Sequence, residues 1–167
     1  MKKIMILLLG LALFNLSFSD GTYLKGVDAN KIKNVLEKDG FEFDEDGEYY
    51  FFKKRNEKFE QKIDIFFYDE EPYSVNISSY HFHTNPNQEA IKNNLSNMVK
   101  KVNSGISNET IKKGLLNSLN KMPSKAPKGE PGTKDYIEKV NKLYEIGDYY
   151  IRTMNVNTEK SINLSCD

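Results

Sequence analysis

Three strand-like runs with very short connections dominate the middle of the chain. They are EYYFFKKR (48–55), FEQKIDIFFYD (59–69) and YSVNISSYHFHT (73–84). The second run alternates apolar and polar residues, as a half-buried strand does. Connections of about three residues are too short for the helical crossover that joins parallel strands. The sequence therefore predicts a three-stranded antiparallel meander, which favours an α+β fold over an α/β fold.

Helical patterns and a second pair of strands flank this meander. Apolar residues at helical spacing, with cap residues at the ends, predict helices over 28–39, 85–105, 107–122 and 134–146. Segments 148–156 and 161–166 predict a terminal hairpin. No internal repeat is evident. The predicted architecture is an antiparallel sheet of about five strands, with helices packed mainly on one face.

A segment rich in Pro, Gly and Lys interrupts these patterns at residues 123–133. It has no hydrophobic periodicity, which predicts a flexible loop. The strands that follow it need a sheet to join. We therefore expect the loop to lie inside one α+β domain that covers residues 20–167.

The first nineteen residues have the pattern of a secretory signal peptide. Lys2 and Lys3 precede an apolar stretch, and Ser17 and Ser19 supply the small residues that a signal peptidase reads. The apolar stretch is shorter than the roughly 20 residues that span a bilayer. The sequence thus predicts cleavage after Ser19, no stable membrane span afterwards, and a periplasmic or extracellular protein. The short signal and the frequent Lys, Asn and Ile indicate a bacterial source.

Charge argues against a nucleic-acid partner. The whole chain carries 24 basic and 24 acidic side chains, and removal of residues 1–19 would take away two lysines and leave a small acidic excess. A nucleic-acid-binding domain usually shows a basic excess or a basic face. The sequence also contains no glycine-rich phosphate loop and no cofactor motif. We expect a protein or small-molecule partner and no cofactor.

The single cysteine, Cys166, stands near the end of the sequence. One thiol cannot form a disulfide within the chain, so the hydrophobic core must stabilise the domain without one. We interpret Cys166 as a small apolar residue at the end of a strand. The alternative is a disulfide with another chain, which would suit a structural envelope component.

Both histidines, His81 and His83, fall at the end of the third strand-like run. A loop over residues 70–72 would place His81 opposite Gln61 and His83 opposite Phe59. Two histidines at positions i and i+2 of a strand point the same way and can chelate a metal, but a zinc site needs a third or fourth ligand. We interpret the pair as a polar strand end at the rim of the core. The alternative is a metal-dependent enzyme or hydrolase.

Aromatic residues are the unusual feature of the composition, with ten Tyr, ten Phe and no Trp. The segments YYFF (49–52) and FFY (66–68) place aromatic side chains on both faces of the predicted sheet. One face would be covered by helices. The other would carry Tyr50, Phe52, Phe66 and Tyr68, and an exposed aromatic face is a candidate binding surface. The alternative is that the last helix, the 123–133 loop, or the side-chain stems of Lys54, Lys62 and Arg152 cover this face.

The opening segment KGVDANKIKNVLEKDGFEF (25–43) resembles the start of some small secreted bacterial α+β proteins of unassigned role. In those proteins a helix ends in Leu-Glu-x-x-Gly-Phe and an antiparallel sheet follows. Leu36, Glu37, Gly40 and Phe41 carry the resemblance, which covers at most the first third of the chain after residue 19. It implies a fold for this segment and no activity.

Taken together, these patterns favour an exported, non-enzymatic binding or interaction domain of the bacterial envelope. The two alternatives are the small envelope enzyme that would use His81 and His83, and the structural component that would use Cys166.

Overall fold

The structure is a computed structural model that describes residues 23–83 and 86–166. Its helices are α1 (Ala29–Lys38), α2 (Gln88–Ser104), α3 (Glu109–Lys121) and α4 (Lys134–Val140). Its strands are β1 (Glu42–Asp46), β2 (Tyr49–Arg55), β3 (Phe59–Tyr68), β4 (Glu71–His81), β5 (Asn141–Ile146), β6 (Tyr149–Asn155) and β7 (Glu159–Cys166). They form one antiparallel sheet in the order β1-β2-β3-β4-β7-β6-β5. The predicted signal peptide and its cleavage site lie outside the described residues.

The predicted α+β class with an antiparallel sheet is confirmed, but the sheet has seven strands and not five. The extra strands are β1 and β5, which pair with β2 and β6 through the two-residue turns Gly47–Glu48 and Gly147–Asp148. The residues of β5 were expected to continue the preceding helix. They form a strand because such a turn lets them pair with β6, and only seven residues remain helical before them.

The hydrophobic core lies between one face of the sheet and the helices. Adjacent strands align buried residues across this face, so that Ile63 pairs with Ile77 and Ile77 pairs with Ile162. All three are fully buried, as are Leu95 of α2 and Leu115 of α3. The alternation of the strands and the helical spacing of α2 and α3 therefore meet in one apolar layer.

The segment before α1 ties the helices together through close backbone contacts. Asp28 N donates to Gly105 O at 2.9 Å, and Val27 forms a β-bridge with Ile106. Gly105 packs directly on Ile32 of α1, where an added Cβ would overlap the isoleucine side chain. This junction between α1 and α2 thus depends on the absence of a side chain at position 105.

The β3–β4 hairpin differs from its predicted register. Its turn consists of two residues, Asp69 and Glu70, which both have positive φ angles of 51° and 67°. A β-bulge between Phe66 and Phe67 lies just before this turn in β3. These features place His81 opposite Phe59, whereas the predicted register paired His81 with Gln61. The predicted register was wrong by two residues along the strand, which preserves the face, so His81 still lies on the core side.

A helix followed by three strands occurs twice in the fold, as α1-β1-β2-β3 and α4-β5-β6-β7, on the two sides of β4. The first turn of each unit has a similar sequence, which is EDGEYY (45–50) in the first unit and EIGDYY (145–150) in the second. The expectation that the chain has no internal repeat is therefore wrong at the level of topology.

Candidate functional site

The face of the sheet opposite the helices is here called the open face. The buried apolar residues of the strands all lie on the helix-covered face, and the alternate residues of each strand form the open face. A sheet of seven strands with one such face presents a broad surface to solvent or to a ligand.

The centre of the open face is a floor of small polar side chains from β4 and β7. Two segments of the same pattern, SVNIS (74–78) and SINLS (161–165), pair antiparallel in full register. Asn76 stands opposite Asn163, and a serine stands opposite a serine on each side of them. Asn163 Nδ2 donates to Ser74 Oγ at 3.1 Å. We call these six side chains the Ser/Asn floor: Ser74, Asn76, Ser78, Ser161, Asn163 and Ser165.

Larger side chains rise on both sides of the Ser/Asn floor. On the β2–β3 side stand Tyr49, Phe51 and Phe66, and the rings of Tyr49 and Phe66 lie 6.0 Å apart. On the β6–β5 side, Tyr150 and Arg152 border a cavity of about 410 Å³. Its remaining lining residues are Leu143, Asn163, Ser165 and Cys166. The floor is thus the low part of a concave surface whose two sides are partly aromatic.

The predicted aromatic surface maps onto both faces of the sheet. Phe52 is fully buried in the core, and Tyr50 lies on the same helix-covered face, where its hydroxyl is 3.4 Å from Asn30 Oδ1. Phe66 lies on the open face and is half-buried, and Tyr68 is 68 % exposed at the end of β3. In β2 it is therefore Tyr49 and Phe51, and not Tyr50 and Phe52, that face outward with Phe66.

One carboxylate lies within the open face beside the floor. Asp64 stands between Phe51 of β2 and Asn76 of β4, and its Oδ2 accepts from Asn76 Nδ2 at 3.2 Å. Its other oxygen is buried and has no partner among the residues that the structure describes. Burial raises the pKa of the Asp64 carboxyl above its ordinary value, against the lowering effects of Asn76 and of the charge on Lys62. The centre of the open face therefore holds unused hydrogen-bonding capacity.

The two histidines occupy different environments at the end of β4. His81 is 6 % exposed and packs edge-on against Phe59, with the ring centroids 4.7 Å apart. Its Nδ1 accepts from the backbone N–H of His83 at 3.1 Å, and His83 itself is exposed. Among residues 23–83 and 86–166, no three His, Cys, Asp or Glu side chains lie close enough together to hold a metal ion. This geometry favours a packing role for His81.

A buried lysine is the unusual group that sequence reasoning missed. Lys160 lies on the helix-covered side of β7, is fully buried, and donates to Asn155 Oδ1. Burial, with a smaller effect from Lys92, lowers the pKa of Lys160 to about 8. Ser79 stands opposite it on β4, also fully buried, and its Oγ has no partner within the described part of the chain. The only sequence signal is a lysine at an inward position of an alternating strand.

The arrangement defines the molecule as an α+β protein with a seven-stranded antiparallel sheet, one face of which none of the described helices covers. No known protein family, no curated protein and no solved structure matches the chain. No helix in the part of the chain that the structure describes has the length and apolar character needed to cross a membrane.

Proposed function

We propose that the protein is an exported, non-enzymatic binding domain of the bacterial envelope, and that its ligand lies on the open face of the sheet. The observation that carries this proposal is the Ser/Asn floor between aromatic sides. A solvent-exposed face without a ligand would not require two matched Ser-x-Asn-x-Ser segments paired in register at its centre. Concave surfaces with aromatic sides and a few placed polar groups are typical of ligand sites.

The chemistry of the open face fits a neutral, polyhydroxylated chain. Serine hydroxyls both donate and accept hydrogen bonds, and asparagine amides offer two donors and an acceptor. Aromatic rings such as those of Phe66 and Tyr150 provide apolar faces against which the C–H side of a sugar ring can pack. Five paired residues at about 3.3 Å each make the floor about 16 Å long, enough for roughly three sugar rings.

Charge on the open face also favours a neutral ligand. Lys62 is paired with a carboxylate, since its Nζ lies 2.7 Å from Glu60 Oε1, and the same face also carries Asp64 and Arg152. A polyanion would be repelled by the acidic side chains, and a polycation would be repelled by the lysine and the arginine. Hydroxyl groups match either neighbour, because they can act as donors to carboxylates and as acceptors from cationic side chains.

The test is calorimetric titration of the protein from residue 20 onward with a panel of short neutral oligosaccharides and cell-wall glycan fragments. We expect saturable binding of at least one glycan class. Tyr150→Ala should weaken it about tenfold, the loss that corresponds to about 1.4 kcal/mol. The matched control is Leu116→Ala, which removes a partly exposed apolar side chain from α3 and leaves the open face untouched.

Two results would contradict the proposal. One is the absence of saturable binding across the panel, with circular dichroism showing a folded protein. The other is a glycan that binds equally to the wild type and to Tyr150→Ala, which would place its site away from the open face.

A further inference from the structure

A second cavity, of about 740 Å³, lies at the end of the sheet where two turns and the end of β7 meet. It is bounded by the β1–β2 turn, the β3–β4 turn and the end of β7, and we call it the turn-end pocket. Phe67 N donates to Glu48 O at 2.8 Å, and Cys166 Sγ donates to Tyr73 O at 3.4 Å. These contacts join the three parts of its wall. Its volume lies in the range of small-molecule sites.

Three aromatic rings line the turn-end pocket, those of Phe67, Tyr68 and Tyr73. Phe67 is held by the ring of Tyr50, with centroids 4.8 Å apart, and Tyr73 lies 6.3 Å from the ring of Phe66. Tyr68 is the most exposed of the three. In the pocket, the rings of Phe67 and Tyr73 are therefore held by packing against other rings, and the exposed ring of Tyr68 can move towards a ligand.

Three carboxylates share this pocket with the rings, those of Glu48, Asp69 and Glu70. The eight described residues that line it include no lysine, arginine or histidine. None of the three carboxylates forms an ion pair with a residue that the structure describes. The pocket thus combines an aromatic lining with negative charge that no described residue neutralises by an ion pair.

We propose that the turn-end pocket binds a small organic cation that carries a quaternary ammonium group. The negative faces of aromatic rings attract a cation, and such rings are the usual receptors for quaternary ammonium groups. The three carboxylates add long-range attraction of the same sign. A hard cation such as Ca²⁺ needs six or more oxygen ligands at short distances, and the described residues form no such cluster. This site is separate from the open-face glycan site and does not rest on it.

The experiment titrates choline chloride into the protein from residue 20 onward and follows the ring signals of the tyrosines by NMR. The neutral isostere 3,3-dimethyl-1-butanol has the same shape without the charge and serves as the ligand control. We expect choline to bind with a dissociation constant in the millimolar range and about tenfold more tightly than the isostere. Added salt should weaken only the binding of choline.

Two variants test the two parts of the pocket. Tyr73→Leu keeps an apolar side chain but removes the ring, and should weaken choline about fivefold while leaving the isostere unchanged. Glu48→Gln should also weaken choline and not the isostere. The matched control is Tyr80→Leu, because Tyr80 is as exposed as Tyr73, at 38 % and 37 %, but lies near the other end of β4.

Three outcomes would overturn the inference. Choline and the isostere could bind equally, which would make the pocket merely apolar. Choline could fail to saturate at concentrations up to about ten times the expected millimolar constant. Finally, Tyr80→Leu could weaken choline as much as Tyr73→Leu does, which would place the cation elsewhere. Loss of choline binding leaves the open-face proposal intact, since the two tests use different ligands and different variants.

Discussion

Replacement of the buried Lys160 by methionine should make the protein more stable at neutral pH. Lys160 is fully buried, donates to the amide oxygen of Asn155, and forms no ion pair with any described residue. A buried ammonium group without a counter-ion destabilises the folded state, because the group loses its hydration and gains little in return. Methionine has a similar length and fills the same space with an apolar thioether.

The magnitude follows from the pKa of Lys160, which falls from 10.5 to about 8 on folding. Each pKa unit corresponds to 1.36 kcal/mol, so the protonated side chain costs the folded state about 3 kcal/mol at pH 7. Against this gain, Lys160→Met leaves Asn155 Oδ1 without its donor, at a cost of about 1–3 kcal/mol. We therefore expect a net gain in the free energy of unfolding of up to about 2 kcal/mol at pH 7.

The pH dependence gives a sharper test than the size of the gain at one pH. Below pH 8 both the folded and the unfolded wild type keep Lys160 protonated, so its cost is constant and fully present. Between pH 8 and 10.5 the folded state releases the proton first, so the stability of the wild type rises with pH. The advantage of the variant should therefore shrink by about 2 kcal/mol between pH 7 and pH 9.5.

Urea titrations followed by circular dichroism at several pH values from 7 to 9.5 would measure this difference. Lys100→Met, at an exposed lysine of α2, is the matched control for the loss of a lysine from the surface. A difference between wild type and Lys160→Met that stays flat across this range would refute the reasoning. So would a variant that is less stable than the wild type by several kcal/mol at pH 7, because Lys160 would then have a partner that stabilises its charge.

Three further predictions concern other parts of the chain. Exported protein should begin at Asp20, and intact mass would show it; a dominant full-length species retained in the membrane would contradict the predicted cleavage. Gly105→Ala should lower the free energy of unfolding by about 1–3 kcal/mol, since the added methyl would overlap the isoleucine on which Gly105 packs, whereas Gly47→Ala, with open space around it, should change it by less than about 0.5 kcal/mol in urea titrations. His81→Ala combined with His83→Ala should leave the metal content of untagged protein unchanged, and stoichiometric zinc lost in the double variant would revive the enzyme alternative.

The sequence predicted the parts of the fold that depend on local pattern. The β2–β3–β4 meander and helices α2 and α3 have strong periodicity and short connections, and both appear where they were expected. The strands β1 and β5 were missed because they are edge strands of five and six residues. A short edge strand needs only one partner and carries no long alternating pattern, so its pairing is decided by the turn and the neighbouring strand.

The side of the sheet to which each aromatic side chain points was harder to predict than the strands themselves. In YYFF (49–52) every residue is aromatic, so the segment does not show which two side chains point inward. The β2–β3 register determines which side chains point inward, because Phe52 pairs with the buried Ile63 and Phe51 pairs with Asp64. The Ser/Asn floor was missed for a related reason. Its two segments lie more than 80 residues apart, and only the pairing of β4 with β7 brings them together.

The acidic edge strand β1 supports the proposal that the ligand lies on the open face and not along this edge. An uncovered edge strand can pair with a strand of another chain, and charged side chains prevent this. The outer strand β1 has the sequence EFDED, with four acids in five residues. Two such edges would repel each other at close range, and the same acids would oppose any strand with an acidic sequence. The open face carries the Ser/Asn floor and its aromatic sides, so it is the surface on which we propose that a neutral ligand binds.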